Sequence, residues 1–386
     1  MINSSIVEEF IVRFNTIPRV FKSPGRINLI GEHTDYNEGF VLPAAIDYHM
    51  VLAMHPNNLK LFRFYSYDYS EYVEFDISNI QKSKTLWANY LLGVISQFNK
   101  SGKYITGVDC VFGGNIPIGA GLSSSAAIEC GFAYGLNELF KTKFMKIDLV
   151  KMSQKAENEF AGVMCGIMDQ FASVFGKENK VIQLDCRSLE FQYFPFNMPD
   201  YDIILCDTKV KHSLASSEYN KRRNECEKGV DIIKKYEEDV HSLRDVNIAM
   251  LNKYKSKFNP IIYKRCKYVI EENSRVLDSC EALQNNKLEL LGENMFNTHD
   301  GLRFDYEVSC RELDVLVDFA KAQECVIGAR MMGGGFGGCT INLVLKSGTE
   351  AFIRNITRDY LDKTNKHLGI YKTRISEGTS EIVLTD

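Results

Sequence analysis

An α+β fold in two domains is what this sequence predicts, on three observations. The chain has 386 residues, too many for one ordinary hydrophobic core and comfortable for two. Strand-like and helix-like runs do not alternate in the regular rhythm of a doubly wound parallel sheet. From residue 213 to about 320 the pattern is mostly helical, and strands return after it. The division is expected within residues 190–205, at the turn-rich "FPFNMPD". That gives domains 1–200 and 201–386, with the C-terminal strand free to return to the first.

The elements follow in order. Residues 17–22 and 27–30 read as short extended runs broken by the turn signal Ser23-Pro24-Gly25. Residues 61–76, "LFRFYSYDYSEYVEFD", alternate apolar and polar side chains and are rich in aromatics, as exposed antiparallel strands are. A helix is predicted over 85–99, a strand over 107–114, and a helix over 124–140 with Ile128, Phe132, Leu136 and Leu139 on one face. A helical pattern covers 146–160, and a second short helix from near Gly166 buries Ile167, Phe171 and Val174. "KVIQLDC", "YDIILCD" and "CTINLVL" read as strands.

Composition narrows the function classes. Hydrophobic residues make up 45% and charged residues 25%, the profile of a soluble globular protein. A net charge of −4 offers no basic field for nucleic acid. No apolar run approaches the roughly 20 residues that span a bilayer. The opening "MINSSIVEEFIVRFN" has Glu8 and Glu9 where a signal peptide needs an apolar core. The eleven cysteines are odd in number and lack CxxC spacing. They are expected to be reduced, mostly core thiols (Cys110, Cys206, Cys325) of a cytoplasmic protein, which speaks against a zinc site.

Several stretches carry chemistry. Residues 115–127, "NIPIGAGLSSSAA", place Gly119 and Gly121 in a tight loop and then open a helix with Ser123, Ser124 and Ser125. A helix start offers unpaired N–H groups and a positive dipole end, a natural phosphate cradle. One serine would suffice for an ordinary cap, and three with two glycines exceed that need. The stretch is neither a Walker A loop nor GxGxxG. Residues 328–339, "GARMMGGGFGGC", hold six glycines. Close backbone packing is their first reading, ahead of ligand contact, and such a loop can fix the shape of a phosphate loop.

"GEHTDYNEGF", residues 31–40, crowds Glu32, His33 and Asp35 together, to hold a metal, a proton in transit or a polar ligand. Asp169 lies near a helix start and Glu157 twelve residues earlier, a pair able to converge on one cleft. Taken alone, Arg26 reads as a rim residue at a strand start, Trp87 as core, and Lys221–Arg223 as a solvated helix face.

Taken together, "GRINLIGEHTDYNEGFVLP", "PIGAGLSSSAA" and "GARMMGGGFGG" resemble, in order, the three motifs of the GHMP small-molecule kinases. The first is similar to the signature of that superfamily's galactokinase members. "CGIMDQFAS", "LDCRSLE", "VKHSLASSEYNKRRNECE" and "THDGLRFDYEVSCRELD" also resemble galactokinase segments. The resemblance implies an N-terminal domain of the ribosomal protein S5 domain 2 type, a C-terminal α/β-sandwich domain, and an active site in the cleft between them. It implies an ATP- and Mg2+-dependent kinase that phosphorylates the anomeric C1 hydroxyl of α-D-galactose. Carried over by residue, Arg26 and Asp169 are the catalytic pair, and Glu32, His33, Asp35, Gly166 and Tyr219 contact the sugar. Gly119, Ala120, Gly121, Leu122, Ser123, Ser124 and Ser125 form the phosphate loop, Trp87 lies near the adenine, and Ser125 and Glu157 ligate Mg2+.

Ala120 departs from the glycine of many relatives and is tolerated unless φ there is positive. A sugar's hydroxyls suit residues 31–40 better than a metal does, with ionised Glu32 and Asp35 as acceptors and His33 able to donate or accept. Proton acceptance then falls to Asp169. The partners expected are galactose and ATP, with no nucleic acid or membrane, and the chain is expected to be a monomer. A sister sugar-1-kinase for N-acetylgalactosamine, arabinose or galacturonate is the nearest rival. A non-catalytic sugar sensor on the same fold is opposed by the complete serine loop with Arg26 and Asp169.

Overall fold

A computed structural model describes residues 2–117, 119–210 and 215–383. Ile118 of the serine-rich motif and residues 211–214 of the stretch before Tyr219 lie outside them. The chain runs α1 (Ile2–Phe14), β1 (Arg19–Asn28), β2 (Phe40–Val41), β3 (Pro43–Pro56), β4 (Leu61–Ser66), β5 (Glu71–Asp76), α2 (Ala88–Lys100), β6 (Val108–Gly114), α3 (Ser124–Phe140), α4 (Lys146–Ala156), α5 (Met168–Phe175), β7 (Lys180–Asp185) and β8 (Phe191–Pro195). It continues through β9 (Tyr201–Asp207), α6 (Ala215–Lys234), α7 (Ile248–Lys253), α8 (Pro260–Gln284), α9 (Leu288–Phe304), α10 (Arg311–Lys321), β10 (Val326–Met331), β11 (Cys339–Leu345), α11 (Thr349–Thr364), β12 (Gly369–Thr373) and β13 (Ser380–Ile382).

Three sheets organise these elements. The first has strand order β13-β1-β3-β6-β4-β5, the second β10-β11-β9-β12, and a small third β2-β7-β8. Among the described residues only the β4–β6 pairing is parallel. Alternation of side chains along the strands explains the layers. Val20, Val51 and Ala53 face Ile6 and Phe10 of α1 on one side of the first sheet. Phe21, Leu52 and Met54 face α2 and α3 on the other. That inner core also takes in Ile341 and Leu343 of the second sheet with Val276 and Leu291, so apolar packing is continuous from one sheet to the other. The outer face of the second sheet is closed by Leu316, Phe352, Ile356 and Tyr360 of α10 and α11.

Several sequence expectations are corrected. Residues 19–28 form one strand and not two runs, because Ser23-Pro24-Gly25 is absorbed as a bulge between Pro24 and Arg26. Proline supplies no N–H to the ladder there. Gly25 leaves room for the Leu122 carbonyl, which would stand 2.6 Å from an added Cβ. In the 61–76 hairpin, only β5 is the exposed edge, whereas Phe62 and Phe64 of β4 are fully buried. The helix expected from 85 begins at Ala88. The helix expected over 146–160 stops at Ala156 and continues as a wider π turn, Glu157–Ala161, closed by Gly162 at φ 82°. The Lys221–Arg223 run is a solvated face only in part: Lys221 is exposed, but Arg222 is buried, donating to the carbonyls of Tyr306 (2.7 Å) and Glu307 (2.8 Å). Cys325, expected in the core, is half-buried. Helix α5 starts at Met168 and buries Phe171 and Val174 with Ile167 just before it, each side chain contributing about 1.5–3 kcal/mol.

Candidate active site

The bulge in β1 aims Arg26 inward. Its backbone N–H leaves the ladder and bonds the Leu122 carbonyl at 3.1 Å. Its guanidinium is nearly buried, 5% exposed, and grips Asp169 as a fork: Nε to Oδ1 and Nη2 to Oδ2, both at 2.8 Å. Nη1 donates to the Gly121 carbonyl at 2.5 Å. Arg26 is therefore no rim residue; it ties β1, α5 and the serine-rich loop to one point. Bidentate pairing fixes direction as well as distance.

In the serine-rich loop, Gly119 (φ 79°) and Gly121 (φ 74°) take the left-handed conformation, and Ala120 between them does not, so alanine is unstrained there. Ser123 is also left-handed at φ 59°, and its hydroxyl does not cap α3. It donates to Asp169 Oδ2 at 2.6 Å instead. The first N–H groups of α3 thus lack a side-chain cap and lie open to an anion. The Ser125 hydroxyl lies near enough to Glu157 to favour its ionised form. The glycines of the third stretch press on this loop, with an added Cβ at Gly333 falling 3.6 Å from the Gly121 carbonyl. Gly333 and Gly334 also line the cavity described below, so this stretch both packs against the loop and borders the cavity.

Residues 31–40 form a compact loop around a short 3-10 turn, Asp35–Asn37. Thr34 Oγ1 lies 2.6 Å from the Phe40 carbonyl and 2.9 Å from that of Gly31. The second half of the chain grips it. Fully buried Arg330 of β10 donates to the Asn28 and Leu29 carbonyls and, at 3.1 Å, to Glu32 Oε1. Gly333 N–H adds a bond to the same oxygen at 2.8 Å. From α8, Tyr268 Oη donates to the Glu32 carbonyl (3.0 Å), Glu272 Oε1 accepts the Gly31 N–H (2.7 Å), and Asn273 Oδ1 accepts that of Phe40 (2.9 Å). His33 Nδ1 is 2.8 Å from Tyr36 Oη, which is 2.8 Å from Tyr306 Oη. The Tyr219 ring packs beside His33 at 5.2 Å between centroids.

Burial controls the charges. It pushes the Asp35 carboxyl up to about 7, with Asp169 adding to the rise and the Tyr36 N–H opposing it. Without ligand, then, Asp35 is poised to change its charge near neutral pH. Burial, aided by the positive charge of Arg222, lowers His33 to about 3, so its ring is neutral at pH 7. Glu157 is raised by burial and then by Asp169. Behind it, burial drives fully buried Glu129 well above the carboxylate range, with Glu157 adding to the rise.

These groups enclose a cavity of about 200 Å³, lined by Arg26, Glu32, His33, Asp35, Glu157, Val163, Cys165, Gly166, Met168, Asp169, Tyr219, Gly333 and Gly334. That is below the roughly 300–1,000 Å³ of drug-sized pockets and on the scale of one polar ring. Both proposed catalytic residues and all five proposed sugar contacts converge there. Trp87 does not line it: its ring packs edge-on to Phe112 at 5.3 Å and its Nε1–H donates to Glu71 at 2.7 Å. Sequence reasoning missed Arg330, a lone charge inside an apolar strand, and Glu272, an acid on the buried face of α8. Each had a signal, since a charge among apolar neighbours must have a partner. The Ser123–Asp169 bond had none.

Comparison with known proteins agrees with this geometry. The family model "Galactokinase galactose-binding signature" matches residues 8–56, "GHMP kinases N terminal domain" residues 89–177, and "GHMP kinases C terminal" residues 280–363. A galactokinase of Thermosipho africanus is 44% identical over 361 residues, covering 94% of this chain and 99% of the relative. One from Clostridium acetobutylicum is 42% identical over 369 residues, 94% of each chain. Among solved structures, Lactococcus lactis galactokinase complexed with galactose superposes with a TM-score of 0.96 at 34% identity, covering 99% of this chain and 100% of that one. Methanococcus jannaschii mevalonate kinase, at 16% identity and a TM-score of 0.65 over 93% of this chain and 99% of that one, shares the fold alone.

Proposed function

This chain belongs to the galactokinase family of the GHMP kinases, and from that premise we propose that it transfers the γ-phosphoryl group of ATP to the C1 hydroxyl of α-D-galactose. The observation that carries the assignment of roles is the Arg26–Asp169 fork, placed where the loop 31–40 and the serine-rich loop meet. Phosphoryl transfer passes through a loose transition state in most analyses, so catalysis needs positioning and charge neutralisation more than a strong base. Three donors already hold Asp169: two from Arg26 and the Ser123 hydroxyl. It remains an acceptor for the sugar hydroxyl, which it orients, taking the proton at or after transfer. Arg26 and the open N–H groups of α3 supply positive charge where charge accumulates on the phosphoryl oxygens. Glu32, His33, Asp35, Gly166 and Tyr219 select the sugar, and a site of buried polar groups rejects a ring whose hydroxyls fail to meet them.

Ser125 and Glu157 suit Mg2+. Glu157 is 7% exposed, and neither of its hydrogen-bond partners, Gln170 and Cys165, is cationic. Mg2+ takes one or two protein oxygens and completes its shell with phosphates and water. Bound there it would neutralise charge on the ATP phosphates. Trp87 is assigned to the neighbourhood of the adenine by family resemblance only. We place the domain division near residue 200, with β13 returning to the first sheet. The chain is inferred to be cytoplasmic, since its eleven cysteines are free thiols as in a reducing compartment, and is proposed to act as a monomer. No helix among the described residues is long and apolar enough to cross a membrane.

The test is a panel of galactose, N-acetylgalactosamine, arabinose and galacturonate in an ADP-coupled assay, with the phosphate position read by NMR. Galactose is expected to give the highest kcat/KM and a C1 phosphate. Asp169→Asn should leave galactose binding within a few-fold and nearly abolish turnover; a variant with most of the wild-type kcat would refute its role.

A further inference from the structure

Three buried hydroxyls lie about one helical turn from the Arg26–Asp169 fork, and the reaction as described leaves them without a part. Ser23 precedes Arg26 by three residues on β1, Ser173 follows Asp169 by four on α5, and Thr379 belongs to the segment between β12 and β13. Ser23 and Ser173 expose no surface and Thr379 only 2%. Ser173 Oγ donates to the Pro24 carbonyl at 2.8 Å, and Thr379 Oγ1 donates to the Ser173 carbonyl at 2.9 Å. Ser23 Oγ stands 3.0 Å from Ser173 Oγ and 2.8 Å from Thr379 Oγ1. Each hydroxyl has one proton. Two are committed to carbonyls, so the Ser23 proton alone serves both of its neighbours.

The placement is specific. Pro24 is the last residue before the bulge, where the register between β1 and β3 shifts. A buried carbonyl at such a break needs a partner, and Ser173 provides it. Asp169 and Ser173 share one face of α5, roughly 6 Å apart along its axis. Strand β1 and helix α5 are therefore joined twice, by the fork and by the hydroxyls. Apolar contacts alone would let the helix turn about its axis, whereas hydrogen bonds are directional. The third hydroxyl is delivered by a segment itself pinned by Ser376 N–H to the Ala45 carbonyl (3.0 Å), Gly378 N–H to that of Gly176 (2.9 Å) and Thr379 N–H to that of Ser173 (2.8 Å). Gly378 permits that approach: an added Cβ would meet the Val174 carbonyl at 2.5 Å.

We propose that Ser23, Ser173 and Thr379 are positioning residues for phosphoryl transfer, a hydroxyl triad through which the C-terminal segment fixes the angle between Arg26 and Asp169. The proposal rests on the catalytic assignment of that pair. Its test is steady-state kinetics on the full chain for Thr379→Val, which is nearly isosteric, Thr379→Ser, which keeps the hydroxyl, and Asp169→Asn, each well below its melting temperature. Thr379→Val should lose about ten- to a hundredfold in kcat, as small misplacements do, with KM for galactose and for ATP within about twofold. Thr379→Ser should recover most of the loss. If valine prevents folding, Ser23→Ala removes the bridging oxygen alone and should show the same split. A kcat within twofold of wild type for Thr379→Val, or equal losses for valine and serine that track melting temperature, overturns the triad. An inactive Asp169→Asn beside an unaffected Thr379→Val overturns the triad only. An active Asp169→Asn removes the catalytic assignment, and the triad with it.

Discussion

Gly166→Ala isolates what close approach contributes to sugar binding. A Cβ at Gly166 would lie 1.8 Å from Asp35 Oδ2, 2.1 Å from its Cγ and 2.8 Å from its Cβ. Ordinary contact begins at 3.4 Å, so the carboxylate must retreat by about 1.6 Å. Gly166 does not adopt positive φ, and the methyl therefore acts through contact and not through backbone strain. Asp35 cannot swing freely either, because its Oδ1 holds the Tyr36 N–H at 3.0 Å. The displaced carboxylate would lose the hydrogen bond proposed for it to the sugar, a charge-assisted bond of about 1.5–3 kcal/mol. That converts to roughly a 10- to 150-fold weaker Kd for galactose. Calorimetric titration of galactose measures it, and ATP affinity should be unchanged. Both substitutions act through Asp35, so the double variant Gly166→Ala/Asp35→Ala should bind no worse than Asp35→Ala alone. A galactose Kd within threefold of wild type for Gly166→Ala would refute the contact argument.

Two further expectations concern charge. Sugar hydroxyls that donate to Asp35 favour its ionised form, while burial and Asp169 hold the free group at about 7. Galactose binding should therefore release a proton near neutral pH and weaken as the pH falls from about 8 to 6. Titration in two buffers of different ionisation enthalpy detects the proton, and Asp35→Asn should abolish it. For folding the sign is opposite: the native pKa lies above the ordinary 3.8, so the stability this group contributes is full below about pH 4 and is lost as pH rises through 7. Asp35→Asn should flatten that decline in Tm. Arg330→Met leaves the Glu32 carboxylate and three carbonyls, those of Asn28, Leu29 and Met331, without their fully buried donor. Denaturant unfolding should show a loss of about 3–5 kcal/mol, and a loss below about 1 kcal/mol would count against the clamp.

Periodicity located α3 to the residue and found α5, β9 and β11, because each buries one face or both in a regular repeat. It split β1, because a proline and a glycine signal a turn locally while the ladder to β3 tolerates them as a bulge. Motif resemblance named Arg26, Asp169 and the five proposed sugar contacts, which line one cavity. It said nothing of what holds them. The Arg330 clamp joins residues 298 to 302 positions apart, the Glu272 bond 241, and the triad up to 356. Such pairings depend on tertiary proximity, which local pattern does not encode. The pKa of Asp35 belongs to the same class, since it arises from burial beneath groups brought in from α5 and from residues well apart in the chain.

Strand β13 has a consequence for the chain as it is made. Its pairing of Ile382, Glu381 and Ser380 with Val20, Phe21 and Lys22 gives β1 its outer neighbour. Between Asn28 and Ser380 lie some 350 residues. At about 5–20 residues per second, β1 waits roughly 20–70 s on the ribosome with that edge unpaired. An unpaired edge bearing Val20 and Phe21 is a template for pairing between nascent chains, and Lys22 is the charge placed to discourage it. Translation that halts shortly before residue 380 would release a protein whose first sheet is one strand short and open to its neighbours.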